Sequence, residues 1–600
     1  MGQATPETTP HDSSAPGSPG LPDGTERADV LIVGGGLVGL ATAVFLARQG
    51  VRAVLAERHR SLAVHPRARG VNPRSMELLR GVGLEEAVRD TVSARALADN
   101  AGVIAVESLA GRHLGELRQS YHQDSGADYS VLSPSPWSLC HQDELEPLLH
   151  DKALELGADL RFGREVSSFT QDADGVTAVL RDLDGAEGDG AAEHRVRARY
   201  MIAADGAGSR VRSALGIPTH GPGTMARFVN IRFDADLREV LGDRRFIICY
   251  TTAAGARCAL LPIDNADRWL LHVIDDREAG SPRLSEERCV ELVRAAAGLP
   301  DLDVTVHDAL PWDAAGLLAG RFRQGRVFLV GDAAHLMPPS GAFGSNTGLA
   351  DAHNLAWKLA AVLRGQAGEA LLDSYDAERR PVARATVEQA VLRSKDRPRL
   401  VGQGTAEPDP RLRPDPAVMF HYRYRSEAVV APAPVATDPG AGADGAPDLW
   451  EDDPRAVPGT RAPHVEVELD GEKLSTVDLF GDGFVLLAAP GADWTTPARA
   501  AAEATGAAVR ALTVTDAATA GPGEARAVSA SWSERYAAAP GQAVLVRPDG
   551  FVAWRSDTAA DAPAPEGTGA RTARLTAALL RVLARDGGQG AEPAQDARAA

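Results

Sequence analysis

Two short, uninterrupted apolar runs lie nearly three hundred residues apart, and each stops at glycine. Asp29 to Val33 reads DVLIV before Gly34, and Val327 to Val330 reads VFLV before Gly331. Apolar runs of this length without alternation predict strands buried on both faces, as in a parallel sheet. The first run leads into LATAVFLARQ, which predicts a helix from Leu40 to Gln49, and then into a second strand from Ala53 to Ala56. The other leads through a loop of prolines and glycines into SNTGLADAHNLAWKLA, which predicts a helix opening at Ser345. Between them the texture changes. Residues 95–137 carry short alternating runs (GVIAVESL, DYSVLS), a helix is predicted from about Leu139 to Gly157, and Arg161 to Val166, Gly175 to Leu180 and Arg195 to Arg199 read as strands. Residues 217–312 are again mostly β, with FIICYTT, CALLPI and RWLLHVI, and a long helix starts at Leu371. Strands mixed with helices, plus a block of strands alone, predict an α/β domain carrying an inserted β-sheet domain, α+β overall.

Candidate chemistry sits where the apolar runs end. Gly34, Gly36 and Gly39 satisfy G-x-G-x-x-G directly between the first strand and its helix. Glycine there permits a tight turn, lets a pyrophosphate approach the backbone and allows close helix–strand packing, while the helix N-terminus faces the phosphates. Glu57 follows Gly39 by 18 residues, the distance expected of the ribose hydroxyl acceptor. At the end of the other run, Asp332 lies at the carboxyl end of a strand, where open α/β sheets bind ligands.

Composition narrows the choice. A chain of 600 residues suggests about three to four domains at roughly 150 residues each. A formal net charge of −19 argues against a nucleic-acid partner, which needs a basic face. Cys140, Cys249, Cys258 and Cys289 show neither a CxxC pair nor metal-ligand spacing, so no metal site and no redox dithiol are expected, and a reducing cytoplasm is. The first 26 residues lack the basic start and apolar core of a signal peptide and read as a disordered tail, as do residues 586–600. Val30 to Ala47 is glycine-broken and short of the ~20 residues of a membrane span, so no membrane partner is expected.

Further segments, taken together and in order, carry a family resemblance. They are HPRARGVNPRSMELL (65–79), Gln142 in LCHQDELE, the Asp205-Gly206 pair in YMIAADGAGSRVR (200–212), and GDAAH, PP and SNTGLADAHNLAWKLA from Gly331 onward. The chain resembles the single-component FAD-dependent aromatic hydroxylases, the para-hydroxybenzoate hydroxylase-like class A group. FHYRYRS (420–426) and GTRAPH (459–464) resemble segments of the tetracenomycin- and elloramycin-type polyketide hydroxylases.

The resemblance implies a Rossmann-like FAD-binding domain, an inserted substrate-binding sheet and a thioredoxin-like C-terminal domain. It divides the chain into FAD-binding parts at 27–94, 138–216 and 316–400, substrate-domain parts at 95–137 and 217–315, a Pro/Gly-rich linker at 401–455, and a C-terminal domain at 456–585. It assigns FAD to Gly34, Gly36, Gly39, Glu57, Arg67 (with Arg69 as the other choice), Gln142, Asp205, Gly206, Gly331, Asp332, Asn346, Thr347 and Gly348. It implies NADPH, or NADH, as a transient reductant, and O₂ activated as a flavin C4a-hydroperoxide beside Pro338, Gly341 and Gly344. An aromatic small molecule, polycyclic and of polyketide type, would take the oxygen. Tyr250, Trp269 and His272 are candidate wall residues, with Phe228 and Trp312. A Baeyer–Villiger oxygenase on this scaffold and an FAD-dependent reductase are the alternatives; a halogenase is disfavoured because no W-x-W occurs. Either a monomer or a homodimer is compatible with this reading.

Overall fold

The computed structural model describes residues 24–65, 67–100, 102–117, 128–183, 193–252, 258–277, 283–400, 409–430, 449–452, 454–556 and 567–585. Both tails, apart from Gly24 to Glu26, and residues 401–408, 431–448 and 453 of the linker lie outside these residues.

The two unbroken apolar runs do become interior strands of one parallel sheet. Its order is β14 (Arg323–Gln324), β15 (Val327–Leu329), β8 (Glu193–Ala203), β1 (Glu26–Val33), β2 (Ala53–Glu57) and β5 (Asp159–Phe162). The pairs from β15 through β5 are all parallel, with Ile32 opposite both Leu55 and Ile202, and Phe328 opposite Ile202. Val30, Leu31 and Ile32 are wholly buried, because the helices Leu37–Arg48, Gln142–Glu155 and Phe343–Leu363 cover the sheet. β6 (Arg164–Gln171) and β7 (Val176–Asp182) form an antiparallel extension on β8. The strand expected from Arg161 to Val166 is split at Gly163, whose φ of +70° turns the chain between β5 and β6.

The second sheet runs β16 (His335–Leu336), β13 (Thr305–Ala319), β9 (Thr219–Asp234), β12 (Arg268–Ile274), β11 (Cys258–Pro262), β10 (Ile248–Thr251), β3 (Val103–Val106) and β4 (His113–Leu117). Residues from 95–137 thus join the substrate sheet at its far edge, through a parallel β3–β10 pair. One face of this sheet is a core built from Val229, Ile231, Phe233, Trp269, Leu271 and the helix Glu286–Ala297. β13 and β9 pair with three register shifts, one of them between Val306 and Asp308, where His307 is the extra residue.

A third sheet closes the chain: β18 (Glu472–Ser475), β17 (Glu466–Leu469), β21 (Ala525–Ala527), β20 (Val509–Thr515), β19 (Phe484–Ala488), β22 (Ala543–Val546) and β23 (Val552–Arg555). Helices Thr495–Thr505 and Thr568–Val582 pack together beside it. This unit is joined to the first by buried charge. Arg547 bonds both carboxylate oxygens of Glu378 at 2.6 and 2.9 Å and also binds Asp549; Lys358 reaches Glu378 at 2.7 Å and Asn354 reaches Asp549. Arg461 of the third unit likewise pairs with Glu77, which Arg74 also holds. All the side chains in these two clusters are nearly or fully buried.

Candidate active site

Three motifs scattered over 300 residues of sequence meet in space because β1, β8 and β15 are neighbours running the same way. Their carboxyl ends deliver Gly34, Asp205-Gly206 and Gly331-Asp332 to one edge of the sheet. The turn at β1 is tight. Gly34 has φ +108°, and a Cβ there would lie 2.4 Å from the Ala204 carbonyl oxygen; one on Gly39 would lie 1.9 Å from the Gly34 carbonyl oxygen. Gly36, by contrast, faces open space, with only Glu146 Oε1 within 4 Å of a Cβ, and Gly206 and Gly208 have nothing in that range. The buried glycines shape the turn, while the open ones line a cavity.

That cavity has a volume of about 1410 Å³ and is bordered at one end by Gly36, Arg67, Gln142, Gly206 and Asp332. A small-molecule pocket is usually ~300–1,000 Å³, so the space exceeds the needs of one ligand. Arg67 is exposed to it, and among the described residues no hydrogen bond or ion pair engages its guanidinium. The alternative, Arg69, is consumed: it donates to the Ile247 and Pro262 carbonyls at 3.2 and 2.8 Å and to His141. Gln142 lines the cavity while its side chain accepts from the Ala68 amide and donates to Glu146. Asp332 opens into the cavity from deep within the protein; loss of hydration raises its carboxyl above the ordinary range, against the pull of His335 and Arg67.

Two of the expected contacts also brace the fold. Asp205 does not line the cavity; it accepts from Ser209 Oγ at 2.5 Å and from the Val211 amide, capping the short helix that follows. Glu57 accepts the Gly35 amide at 2.6 Å and the His59 amide at 2.7 Å, fixing the glycine turn. A carboxylate has about four acceptor positions, so Glu57 retains capacity for a hydroxyl.

The loop after β16 supplies Met337 to Ala342, Gly344 and Ser345 to the cavity, so Pro338, Gly341 and Gly344 are placed together as expected. Gly341 has φ +98° and a Cβ on it would enter the Phe343 ring at 2.3 Å. Ala342, at φ +53°, is held left-handed just where the helix Phe343–Leu363 begins, two residues earlier than the predicted Ser345. Asn346, Thr347 and Gly348 do not line the cavity with their side chains, so the contact expected of them falls to backbone amides at the start of this helix. The Asn346 amide donates to Gly70 O and Ala342 O and accepts from the Asn72 amide; Thr347 Oγ1 donates to Phe343 O. Gly348 is required by packing, since a Cβ would lie 2.5 Å from Val38 and 3.1 Å from Gly331 Cα. Gly331 is buried against Val38 in the same way. What this turn offers a ligand is the amide-rich start of a 21-residue helix, which favours negative charge.

The far end of the cavity is walled by the second sheet. Tyr250, His272, Leu310 and Trp312 line it with Asn230, which accepts from Trp312 Nε1 at 2.6 Å. Phe228 stacks on Trp312 at 4.7 Å between centroids. Trp269 does not line it. It is wholly buried on the opposite face and donates to Ala266 O. Trp269 and His272 are three apart on one strand and therefore point to opposite faces, a signal already present in the sequence. His272 stays neutral, with its ring lowered to about 3 by burial and by Arg69. Two contributors are not singled out by the sequence: His65, the first residue of the HPRARG segment, and the strip Leu412 to Asp415, held by Arg393 through the Arg413 carbonyl and the Asp415 carboxylate.

The arrangement fits FAD: open glycines, a cation facing the cavity, a carboxylate exposed to it, and room continuous with an aromatic-walled chamber. Among the described residues no cluster could hold a metal, and no helix is long and apolar enough to cross a membrane. Replacing Arg67 by Met is expected to weaken FAD binding about 10- to 100-fold, the worth of a charge-assisted contact. Fluorescence titration of deflavinated protein measures this, and the thermal midpoint of that apoprotein should not move, because Arg67 supports nothing within the fold.

Residues 27–390 match a family model described as an FAD binding domain, and residues 455–585 match one described as an aromatic-ring hydroxylase C-terminal domain. Tetracenomycin B2 monooxygenase-dioxygenase of Streptomyces olivaceus is 43% identical over 93% of this chain and 98% of its own. Aklavinone 12-hydroxylase of Streptomyces peucetius is 43% identical over 78% of this chain and 92% of its own. A crystal structure of aklavinone-11 hydroxylase, a ternary complex with FAD and aklavinone, superimposes with a TM-score of 0.79 at 39% identity, covering 93% of this chain and 99% of that one.

Proposed function

This chain belongs to the FAD-dependent aromatic-ring monooxygenases, and from that premise we propose that it hydroxylates a polycyclic phenol of polyketide type with NADPH as reductant. The supporting observation is the single cavity that runs from the pyrophosphate glycines to the wall of Tyr250, His272 and Trp312, too large for FAD-sized ligands alone to be its purpose. The names of the relatives, tetracenomycin and aklavinone oxygenases, support the substrate class. Bound FAD, once reduced, would supply the chemistry of O₂ activation and oxygen transfer.

The protein's part is binding, orientation and shielding. Gly34, Gly36 and Gly39 with Arg67 would hold the pyrophosphate, Glu57 a ribose hydroxyl, and Gln142 and Asp332 the ribityl chain. Gly206 borders the same edge and leaves room for close approach of the dinucleotide. Pro338, Gly341 and Gly344 would keep water from the reacting edge of the flavin while leaving space for oxygen; none of them needs a side-chain nucleophile. The first turn of the Phe343 helix would face the electron-rich edge of the reduced ring with its free amides. Trp312, on which Phe228 stacks, would offer a flat aromatic face to a fused ring system.

The test is product mass spectrometry with ¹⁸O₂, NADPH and a panel of fused hydroxyquinones that includes aklavinone and 1,8-dihydroxyanthraquinone. The expected product gains one labelled oxygen with its carbon skeleton intact, and NADPH consumption rises with substrate. Ring expansion would instead mark a Baeyer–Villiger outcome, and reduction without label a reductase; either result replaces this proposal.

A further inference from the structure

His65 belongs to the loop that also carries Arg67, yet its side chain is turned away from the phosphate end. Nδ1 is hydrogen-bonded to the Asp308 carboxylate, and the other oxygen of Asp308 accepts from Arg232 Nε at 2.9 Å. Only 6% of the His65 side chain is exposed. Nε2 is buried and has no partner among the described residues, although His65 lines the cavity alongside Asn230, His272 and Trp312. A buried polar atom with no partner costs about 1–3 kcal/mol, so one left at a cavity wall points to a ligand atom that completes it.

The backbone is arranged to make this contact. On β9, Val229, Ile231 and Phe233 face the core, which puts Asn230 and Arg232 on the cavity face. The register shift between Val306 and Asp308 places Asp308 directly opposite Arg232, in line with Leu310 and Trp312 of the wall. Without the extra residue, Asp308 would fall on the other face. A carboxylate that accepts from Nδ1 fixes the imidazole as the Nδ1–H tautomer and leaves a lone pair on Nε2.

Resting on the functional reading above, we propose that His65 is the proton acceptor for the substrate's phenolic hydroxyl, with Asp308 as its positioning residue and Arg232 holding Asp308 in place. The substrate O–H bond breaks, an N–H bond forms at Nε2, and the electron pair stays on oxygen. The resulting phenolate makes the ring carbons ortho and para to it more nucleophilic toward the transferred oxygen. The imidazolium is stabilised by Asp308 until the proton is returned. Burial outweighs Asp308 and lowers the His65 ring, with Arg232 and Arg67 acting in the same direction, so His65 is neutral and able to accept at neutral pH. His272, the other histidine of the wall, has no carboxylate partner among the described residues and remains neutral throughout.

The experiment uses flavin-loaded protein, without NADPH, and whichever panel phenol the wild type turns over. Visible absorption reports ionisation of the bound phenol. Wild type is expected to bind it as phenolate at a pH at least one unit below its ionisation in water. His65→Gln should bind it as the neutral phenol, with kcat down about 100-fold and recovering as pH rises through the phenol's own ionisation. Asp308→Asn, which leaves His65 in place, should give a smaller loss with the same pH signature, and it carries the test where His65→Gln loses flavin. Phenolate formation and turnover unchanged in both variants overturn the assignment, and so does a loss of kcat that is independent of pH. A panel in which wild type turns over no phenol overturns the functional reading itself, and this assignment with it.

Discussion

Gly39→Ala protein should purify colourless. The added Cβ would stand 1.9 Å from the Gly34 carbonyl oxygen, and its other near neighbours are Gly34 C and Ala204 Cβ. None of these is the tip of a flexible side chain, so the strand–turn–helix unit has to open. That displaces the helix Leu37–Arg48 whose N-terminus faces the phosphates, and with it the open edge at Gly36. Overpacking of this kind costs ~1–3 kcal/mol or more, and here the cost falls on the dinucleotide site. FAD affinity is expected to drop at least 100-fold, read as the ratio of flavin absorbance to protein absorbance after gel filtration. Circular dichroism should stay near wild type, since the core of the parallel sheet lies behind the turn. Stoichiometric FAD in the purified variant would contradict this account of the turn.

The second large effect lies far from the cavity. Arg547→Met is expected to lower the stability of the folded chain by about 3–5 kcal/mol, the range for removing one partner of a buried ion pair. Glu378 and Asp549 remain behind, fully buried, with Lys358 as the cation and Asn354, Ser426 and the Phe551 amide as neutral donors. Burial alone would raise the Glu378 carboxyl; Arg547 and then Lys358 hold it well below the ordinary carboxylate range. A carboxylate depressed on folding stabilises above its unfolded pKa, and that contribution is lost as pH falls through the folded value. In the variant the folded value rises, so less stability depends on ionisation. The deficit against wild type should therefore be largest near neutral pH and shrink as pH falls through the variant's raised folded value. Urea midpoints at pH 7 and pH 4 measure both. An equal deficit at the two pH values would show that lost packing, not stranded charge, is responsible.

The legible part of the site is the part in which residue type and chemistry coincide. Glycines at Gly34, Gly36 and Gly39, an acid at Asp332 and apolar runs on either side carry their roles in local spacing, and the sheet places them as that spacing implies. The roles that stay hidden depend on partners remote along the chain. Asn346 looks like a flavin contact until its amide is seen tied to Gly70 and Asn72, more than 270 residues away. Asp205 looks like a ligand group and is a helix cap. The burial of Arg547, Glu378 and Lys358 has no local signal, because nothing near them in sequence shows that a third sheet will close over them. Facing within the second sheet is hidden for another reason: an irregular β9–β13 register defeats strict alternation, and that irregularity is what brings Asp308 to the wall. The C-terminal unit is legible as a separate domain, and its lack of cysteine restricts it to contacts rather than thiol exchange.

The strip Leu412 to Asp415 differs in kind from the rest of the chamber. Most of the other wall residues are woven into a sheet or a flavin-side turn, so altering their backbone disturbs a ladder or a cradle. The strip is a separate panel, held by Arg393 and Gln389 of the helix Asp373–Leu400. Residues there can be lengthened, shortened or exchanged at little cost to the scaffold behind them. It is the place where a new ring system is most easily accommodated by descent or by design, because selectivity can change there without any renegotiation of how the flavin is held.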